Sequence, residues 1–157
     1  MKRAVLDQLY RDHGPAVLRR ARQILQDEDE ARDALQEIFL SLVDHQPFEQ
    51  RGATTAWFYT RTTNFCLNRL RDEKNRARLR SERGEASPVT APPRGEALML
   101  ARDALAQLPP PLAEVAVYYY CDEMTHDEIA VLLACSRRHV GHLLERLHAA
   151  TRAVQCG

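Results

Sequence analysis

The sequence predicts an all-α protein: two small helical domains joined by a flexible linker, the second ending in a helix-turn-helix. Three observations carry that prediction. Apolar residues recur at helical spacing through both halves of the 157-residue chain, and no strand alternation competes with them. Residues 81–96, SERGEASPVTAPPRGE, interrupt the pattern with three Pro, two Gly and two Ser and no aromatic side chain. Such a stretch cannot bury enough surface to offset the entropy of ordering it, and it reads as a linker. Near the C-terminus, two short apolar segments with capping signatures flank a three-residue turn. Domains are therefore expected at 1–80 and 97–157, each long enough to close a small core.

Taken in order, Leu6, Leu9 and Tyr10 are expected on a short amphipathic turn that ends at His13-Gly14-Pro15. Leu18, Ala21 and Leu25 continue on a second segment. The strongest helical pattern follows, with Ala31, Ala34, Leu35, Ile38, Phe39, Leu42 and Val43 at i, i+3, i+4, i+7, i+8, i+11 and i+12. Asp27 with Glu30 supplies a capping box at its start and Gln46-Pro47 a stop. A polar loop, residues 48–55, leads to a long helix from about Ala56 to Arg80. Phe58, Phe65, Cys66 and Leu70 mark its core face. The opposite stripe carries Trp57, Arg61, Asn64, Asn68 and Arg71, at steps of four, three, four and three. Asn is a mediocre helix former, so two of them on one stripe beside Arg and Trp need a reason, either a solvated face or a binding face. Beyond the linker, Leu98, Ala101, Leu105 and Leu108 give a helix that breaks at Pro109-Pro110-Pro111. A further helix bears Leu112, Val115, Ala116 and Tyr119.

Residues 125–150, THDEIAVLLACSRRHVGHLLERLHAA, are the most informative. Thr125 and Glu128 form a capping box for a short helix with Ile129, Ala130 and Leu133 inward. Ala134-Cys135 makes a tight turn, and Ser136 is a strong N-cap for a second helix that buries Val140, Leu143, Leu144 and Leu147. Small Ala130 suits a close helix crossing. The second helix exposes Arg137, Arg138 and His139 in its first turn and His142 one turn on, the part of a helix-turn-helix that enters the major groove. From Ser136 to Gly157 the chain holds four Arg, Arg146 among them, against one Glu, so this edge is locally basic. The same pattern also suits a pair of helices that meets another protein.

Composition excludes several classes. The 45% hydrophobic fraction is globular, and the longest apolar runs, residues 115–121 and 129–135, are seven residues long and cannot cross a bilayer. Cys66, Cys121, Cys135 and Cys156 are scattered and no secretory signal precedes them, which suits reduced thiols in a soluble cytoplasmic protein. His139-x-x-His142, with Cys121 and His126 nearby in sequence, lacks the paired spacing of a closed zinc site, so no metal is expected. No phosphate-cradling glycine loop or nucleophile elbow occurs, and the acidic run at residues 27–30 sits at a helix start, where the dipole accounts for it. The chain is read as a non-enzyme without cofactor.

The net charge of zero, from 22 basic and 22 acidic residues, conceals an uneven distribution: residues 1–80 sum to +3 and residues 81–157 to −3. Basic residues gather at 69–80 and 137–152, so neutrality does not exclude DNA. Twenty of the 22 are Arg, a bias that GC-rich codon usage accounts for in large part, although the planar fork also suits phosphates and base edges.

In their order and spacing these features resemble a bacterial RNA polymerase sigma factor of the extracytoplasmic-function type, in the sigma-70 family. The resemblance covers nearly the whole chain. It lies in the Asp33-Ala-Leu-Gln36-Glu37-Ile-Phe39 helix, Phe48 nine residues before Trp57, the Asn64 and Asn68 stripe, and the C-terminal helix-turn-helix. It implies a transcription initiation factor that binds core RNA polymerase, directs it to promoters and helps melt the minus-ten region. Asp33, Gln36 and Glu37 would dock on the clamp helices of the largest subunit, and the second domain would reach the flap region. Phe48, Trp57, Arg61, Asn64, Asn68 and Arg71 would read the minus-ten element as single strand, a base being flipped into a pocket beside the loop. Ser136, Arg137, Arg138, His139, His142 and Arg146 would bind the minus-thirty-five element as duplex. Such proteins are often held inactive by an anti-sigma factor, so one is expected as a partner. Two departures stand out: Glu49-Gln50 intervene between Phe48 and Arg51-Gly52, and Ala134-Cys135 replaces the usual Gly and branched aliphatic. Two further readings of the residues stay open, a conventional helix-turn-helix regulator acting without polymerase and a helical protein-interaction adaptor.

Overall fold

The computed structural model describes residues 3–44, 54–84 and 96–156. Phe48 and loop residues 49–53, the stop at Gln46-Pro47 and linker residues 85–95 lie outside them. Every regular element among the described residues is helical: α1 (Arg3–Leu25), α2 (Glu28–Asp44), α3 (Thr55–Glu82), α4 (Glu96–Gln107), α5 (Pro110–Ala116), a π-helical turn (Val117–Cys121), α6 (His126–Leu133) and α7 (Arg137–Gln155). The chain divides into two compact units, Met1–Cys66 and Leu67–Gly157, and α3 runs through the division.

In the first unit, α1 is one continuous helix, where the sequence predicted a break at His13-Gly14-Pro15. Pro15 forfeits the bond its N–H would give to the Arg11 carbonyl, a cost of about 3 kcal/mol or more in a helix interior. Burial of Val17, Ala21, Ile24 and Leu25 on the following turns, at roughly 1.5–3 kcal/mol for each large side chain, outweighs that cost. Gln26, in left-handed conformation (φ 56°), ends α1. Asp27 then caps α2, its Oδ1 accepting from the Glu30 N–H at 2.9 Å. Ala31, Ala34, Leu35, Ile38, Phe39 and Leu42 are buried as the periodicity predicted. Val43 is not: it is 46% exposed, because i+12 has drifted more than a quarter turn from the centre of the buried stripe.

Thr54 caps α3 by accepting from the Trp57 N–H at 3.2 Å. Val17, Leu35, Ile38, Phe39, Leu42 and Phe58 form the unit's core, with Leu6, Leu9, Leu18, Trp57 and Phe65 packed around it. Aromatic rings knit the helices together. Phe58 stacks on Phe39 (centroids 5.3 Å apart) and on His13 (4.4 Å), and Tyr10 meets Phe39 edge-on at 5.0 Å.

In the second unit the proline run begins a helix as well as breaking one. Pro109 is the N-cap of α5 and Pro110 its first residue, where a missing N–H costs nothing and the fixed φ is already helical. The π-helical turn that follows changes which tyrosine faces inward. Period 3.6 placed Tyr119 in the core, but the wider winding buries Tyr118 completely, its hydroxyl donating to Glu114 Oε1 at 2.9 Å. Tyr119 is left half-buried at the edge. Ala101, also assigned to a core stripe by its spacing, is exposed, and Ala106 on the same helix is buried. The α5 and α6 helices both pack on α7, whose Val140, Leu143, Leu144 and Leu147 are all buried as predicted.

Candidate nucleic-acid interfaces

The helix-turn-helix has the local chemistry its sequence called for. Thr125, extended at φ −73° and ψ 162°, accepts from the Glu128 N–H and starts α6. Ala134 closes that helix in left-handed conformation (φ 52°, ψ 44°), and the Cys135 N–H bonds back to the Ala130 carbonyl at 3.0 Å. Glycine would take this position without strain, so Ala134 carries a modest conformational cost that the buried faces on either side offset. Cys135 is half-buried in the turn, and the fully buried thiol is Cys66 on α3. Ser136 (φ −80°, ψ 152°) accepts from the His139 N–H at 3.1 Å and starts α7.

That cap presents one turn of exposed cationic and hydrogen-bonding groups. Arg137, Arg138, His139, His142 and Arg146 are all exposed, as is Ser136 itself. Arg137 Nη1 lies 3.6 Å from Asp127 Oδ2 of α6. The helix N-terminus adds its own partial positive charge. Chemically the face can donate hydrogen bonds to phosphates and base edges. Among the described residues no group of three His, Cys, Asp or Glu side chains comes together to hold a metal, so His126, His139 and His142 form no common site.

The α3 stripe is less uniform than its spacing implied. Arg61 and Asn68 are exposed and Asn64 half-buried. Trp57, placed by the sequence on the exposed side, is half-buried: it packs on the apolar cluster, with its indole edge-on to Phe58 at 5.0 Å. An i, i+1 pair points to different faces, yet a ring as large as indole still reaches the core from the flank. Arg71 is half-buried and engaged, its Nη1 donating to Asn68 Oδ1 at 3.2 Å and its Nη2 to the Leu108 carbonyl at 3.1 Å. Beside it, Arg102 pairs with Glu73 at 2.9 Å.

Sequence reasoning missed the residue that fixes this stripe from below. Arg20 of α1 is only 6% exposed. Its Nε and Nη2 both donate to Thr63 Oγ1 at 3.2 Å, and its guanidinium lies over the Tyr59 ring, 4.4 Å from the centroid. Thr63 in turn donates to the Tyr59 carbonyl at 2.8 Å, and Thr62 to the Phe58 carbonyl at 2.6 Å. These bonds tie the α3 turn that precedes Asn64 to α1. In the sequence, Arg20 is one more arginine beside Arg19, and only its place on the Val17–Ala21–Ile24 side hinted at burial.

Asp33, Gln36 and Glu37 lie exposed on one face of α2. Leu40, also missed, continues that face one turn on and is 61% exposed, an apolar side chain among acidic neighbours. At the start of the helix Glu28 is held below the usual carboxylate range, chiefly by hydrogen bonds from Arg22 (2.5 and 2.6 Å) and secondarily by Arg32 at 3.0 Å. Arg22 is raised in return.

The two units thus define a helical protein with a helix-turn-helix face in one and an acidic-apolar helix face in the other. Comparison with protein families places it further. Residues 9–76 match Sigma-70 region 2, and residues 98–148 match Sigma-70, region 4. Together the matches span most of the chain, which belongs to the sigma-70 family of transcription initiation factors that direct RNA polymerase to promoters. Family membership does not favour a regulator that acts without polymerase. Among curated proteins none matches the chain. Among solved structures, the sigma factor RpoE from Bartonella quintana, in a co-crystal structure with the anti-sigma factor NepR, shares 18% identity over 91% of both chains, with a TM-score of 0.49. No helix among the described residues is long and apolar enough to cross a membrane.

Proposed function

We propose that this is a sigma factor of the extracytoplasmic-function type, with residues 1–80 as the polymerase- and minus-ten-binding domain and residues 97–157 as the minus-thirty-five-binding domain. The observation that carries the reading is the doubly capped helix-turn-helix whose second helix exposes Arg137, Arg138, His139, His142 and Arg146. Phosphate contacts from Arg146 and from the main-chain N–H groups of the α7 N-terminus that Ser136 caps would set the register, and Arg137 and Arg138 would read guanine edges in the major groove. On α3, Arg61, Asn64, Asn68 and Arg71, with Trp57 and Phe48, would hold the melted minus-ten strand by stacking and base-edge hydrogen bonds. Asp33, Gln36, Glu37 and Leu40 would dock on the clamp helices of the polymerase, the acids steering towards a basic partner and Leu40 supplying buried apolar area. The second domain would meet the flap region. An anti-sigma factor that covers these surfaces is the further partner, and the site of action is the cytoplasm.

The experiment is reconstitution. Full-length protein is mixed with core RNA polymerase and a pool of promoter fragments. Co-elution and a promoter-dependent transcript are the expected result. A protein that binds duplex DNA tightly by itself, without effect on polymerase, would return the reading to a conventional regulator.

A further inference from the structure

Asp127 is the one acidic side chain that an ion pair sets against the exposed cationic face of α7 among the described residues. Its Oδ2 lies 3.6 Å from Arg137 Nη1, and both side chains are highly exposed. The joint between the two helices is firm: Thr125 and Ser136 cap them, and Ala134 and Cys135 bond back to the Val131 and Ala130 carbonyls at 3.3 and 3.0 Å. The first turn of α6 therefore sits beside the first turn of α7, which brings the Asp127 carboxylate within reach of the Arg137 guanidinium. Thr125 rather than Asp127 accepts from the Glu128 N–H in that turn.

A carboxylate at this place has opposed effects on DNA binding. It repels the phosphates that supply most non-specific affinity. Yet an arginine at the first position of a helix is itself disfavoured by the dipole, and a neighbouring acid steadies it. A guanidinium presents five N–H donors in one plane, so a carboxylate at Nη1 leaves a further edge able to bridge O6 and N7 of guanine. Left alone, the flexible arginine would swing to the nearest phosphate, which carries no sequence information.

We infer that Asp127 is a positioning residue for Arg137: it lowers general affinity for DNA and turns Arg137 from a phosphate contact into a guanine contact. This rests on the reading of α7 as the duplex-reading helix.

The test uses the full chain assembled with core polymerase and a duplex pool randomised across the upstream promoter element. Bound sequences are selected and read for the wild type, Asp127→Asn, Arg137→Ala and the double variant. Expected for Asp127→Asn is the collapse of one guanine-dominated position in the selected sequences. Affinity for random duplex should rise several-fold, and the slope of log affinity against log salt should steepen by about one as Arg137 gains a phosphate. Arg137→Ala should lose the same guanine, and the double variant should match Arg137→Ala. An unchanged melting temperature for Asp127→Asn shows that a folding defect is not the cause. If Arg137→Ala removes a guanine preference and Asp127→Asn leaves it intact, the positioning role is overturned and the helix assignment stands. If Asp127→Asn acts equally in the Arg137→Ala background, it works independently of Arg137 and the inference is likewise overturned. If Arg137→Ala changes no position at all, the duplex-reading role of Arg137 fails and the inference with it.

Discussion

Ser136 joins stability to recognition, and two substitutions separate them. Its hydroxyl accepts from the His139 N–H at 3.1 Å, an amide with no partner inside the helix. Ser136→Ala removes that acceptor, at a cost of about 1 kcal/mol (roughly 0.5–2). For a unit of this size a loss of about 1 kcal/mol lowers the melting temperature by about 4–8 °C. Promoter affinity of the holoenzyme should fall by no more than about fivefold, since binding must at most re-form one frayed turn, at about 1 kcal/mol. Ser136→Asp behaves differently. A carboxylate caps as well as serine and also favours the helix dipole, so the melting temperature should hold or rise. Placed against phosphates, though, the same charge should weaken the holoenzyme's grip on duplex promoter by about 5–30-fold, from roughly 1–2 kcal/mol of repulsion near a screened surface. Circular-dichroism melts and filter binding at fixed salt measure the two quantities. Equal melting of Ser136→Ala and wild type would refute the capping argument. Wild-type promoter affinity in Ser136→Asp would show that this end of α7 does not face DNA.

Other predictions follow from the same geometry. Arg138→Ala should weaken duplex promoter binding by the holoenzyme about 5–150-fold, the value of a bidentate base contact at about 1–3 kcal/mol, while leaving core-polymerase affinity unchanged; titration against each separates the two. Leu147→Ala, at a buried position where α5 and α6 pack on α7, should cost about 2–5 kcal/mol by urea unfolding, and Val131→Ala, on the exposed face of α6, almost nothing. Leu40→Asp should lower core-polymerase affinity with no loss of thermal stability, because the side chain is exposed in the free protein; an unfolded variant would contradict the surface assignment. The lowered Glu28 carboxyl contributes stability that is complete above the ordinary carboxylate pKa and disappears as pH falls through its depressed folded value. Urea midpoints at neutral pH and near pH 3 should therefore differ less for Glu28→Gln than for wild type, and an identical difference would dismiss the Arg22 pairing as a contributor.

The parts of this protein governed by neighbours in the chain were legible from the sequence. Capping is such a case: Asp27, Thr125 and Ser136 each accept from the amide three residues on, because a short side chain beside its own helix end has little else to bond. Periodicity is another. A helix with one buried face repeats its apolar residues whatever it packs against, which is why Val140, Leu143, Leu144 and Leu147 were assignable to the core and their polar neighbours to the surface. The family resemblance drew on the same local motifs.

Tertiary structure decided what depends on distant partners. Pro15 is a local stop signal, and only the packing of α1 across α2 and α3 overrides it. A π-helical turn moves Tyr118 into the core in place of Tyr119, and nothing in the run Val-Tyr-Tyr-Tyr-Cys announces the extra residue in that winding. Trp57 leans on Phe58, Arg20 reaches Thr63 across 43 residues of sequence, and Asp127 finds Arg137 only because Ala134 turns left-handed between them. Local sequence determines which helices exist, how they begin and which face each hides. Which charged side chains are buried, paired or left to meet DNA follows from contacts that exist only once those helices have packed.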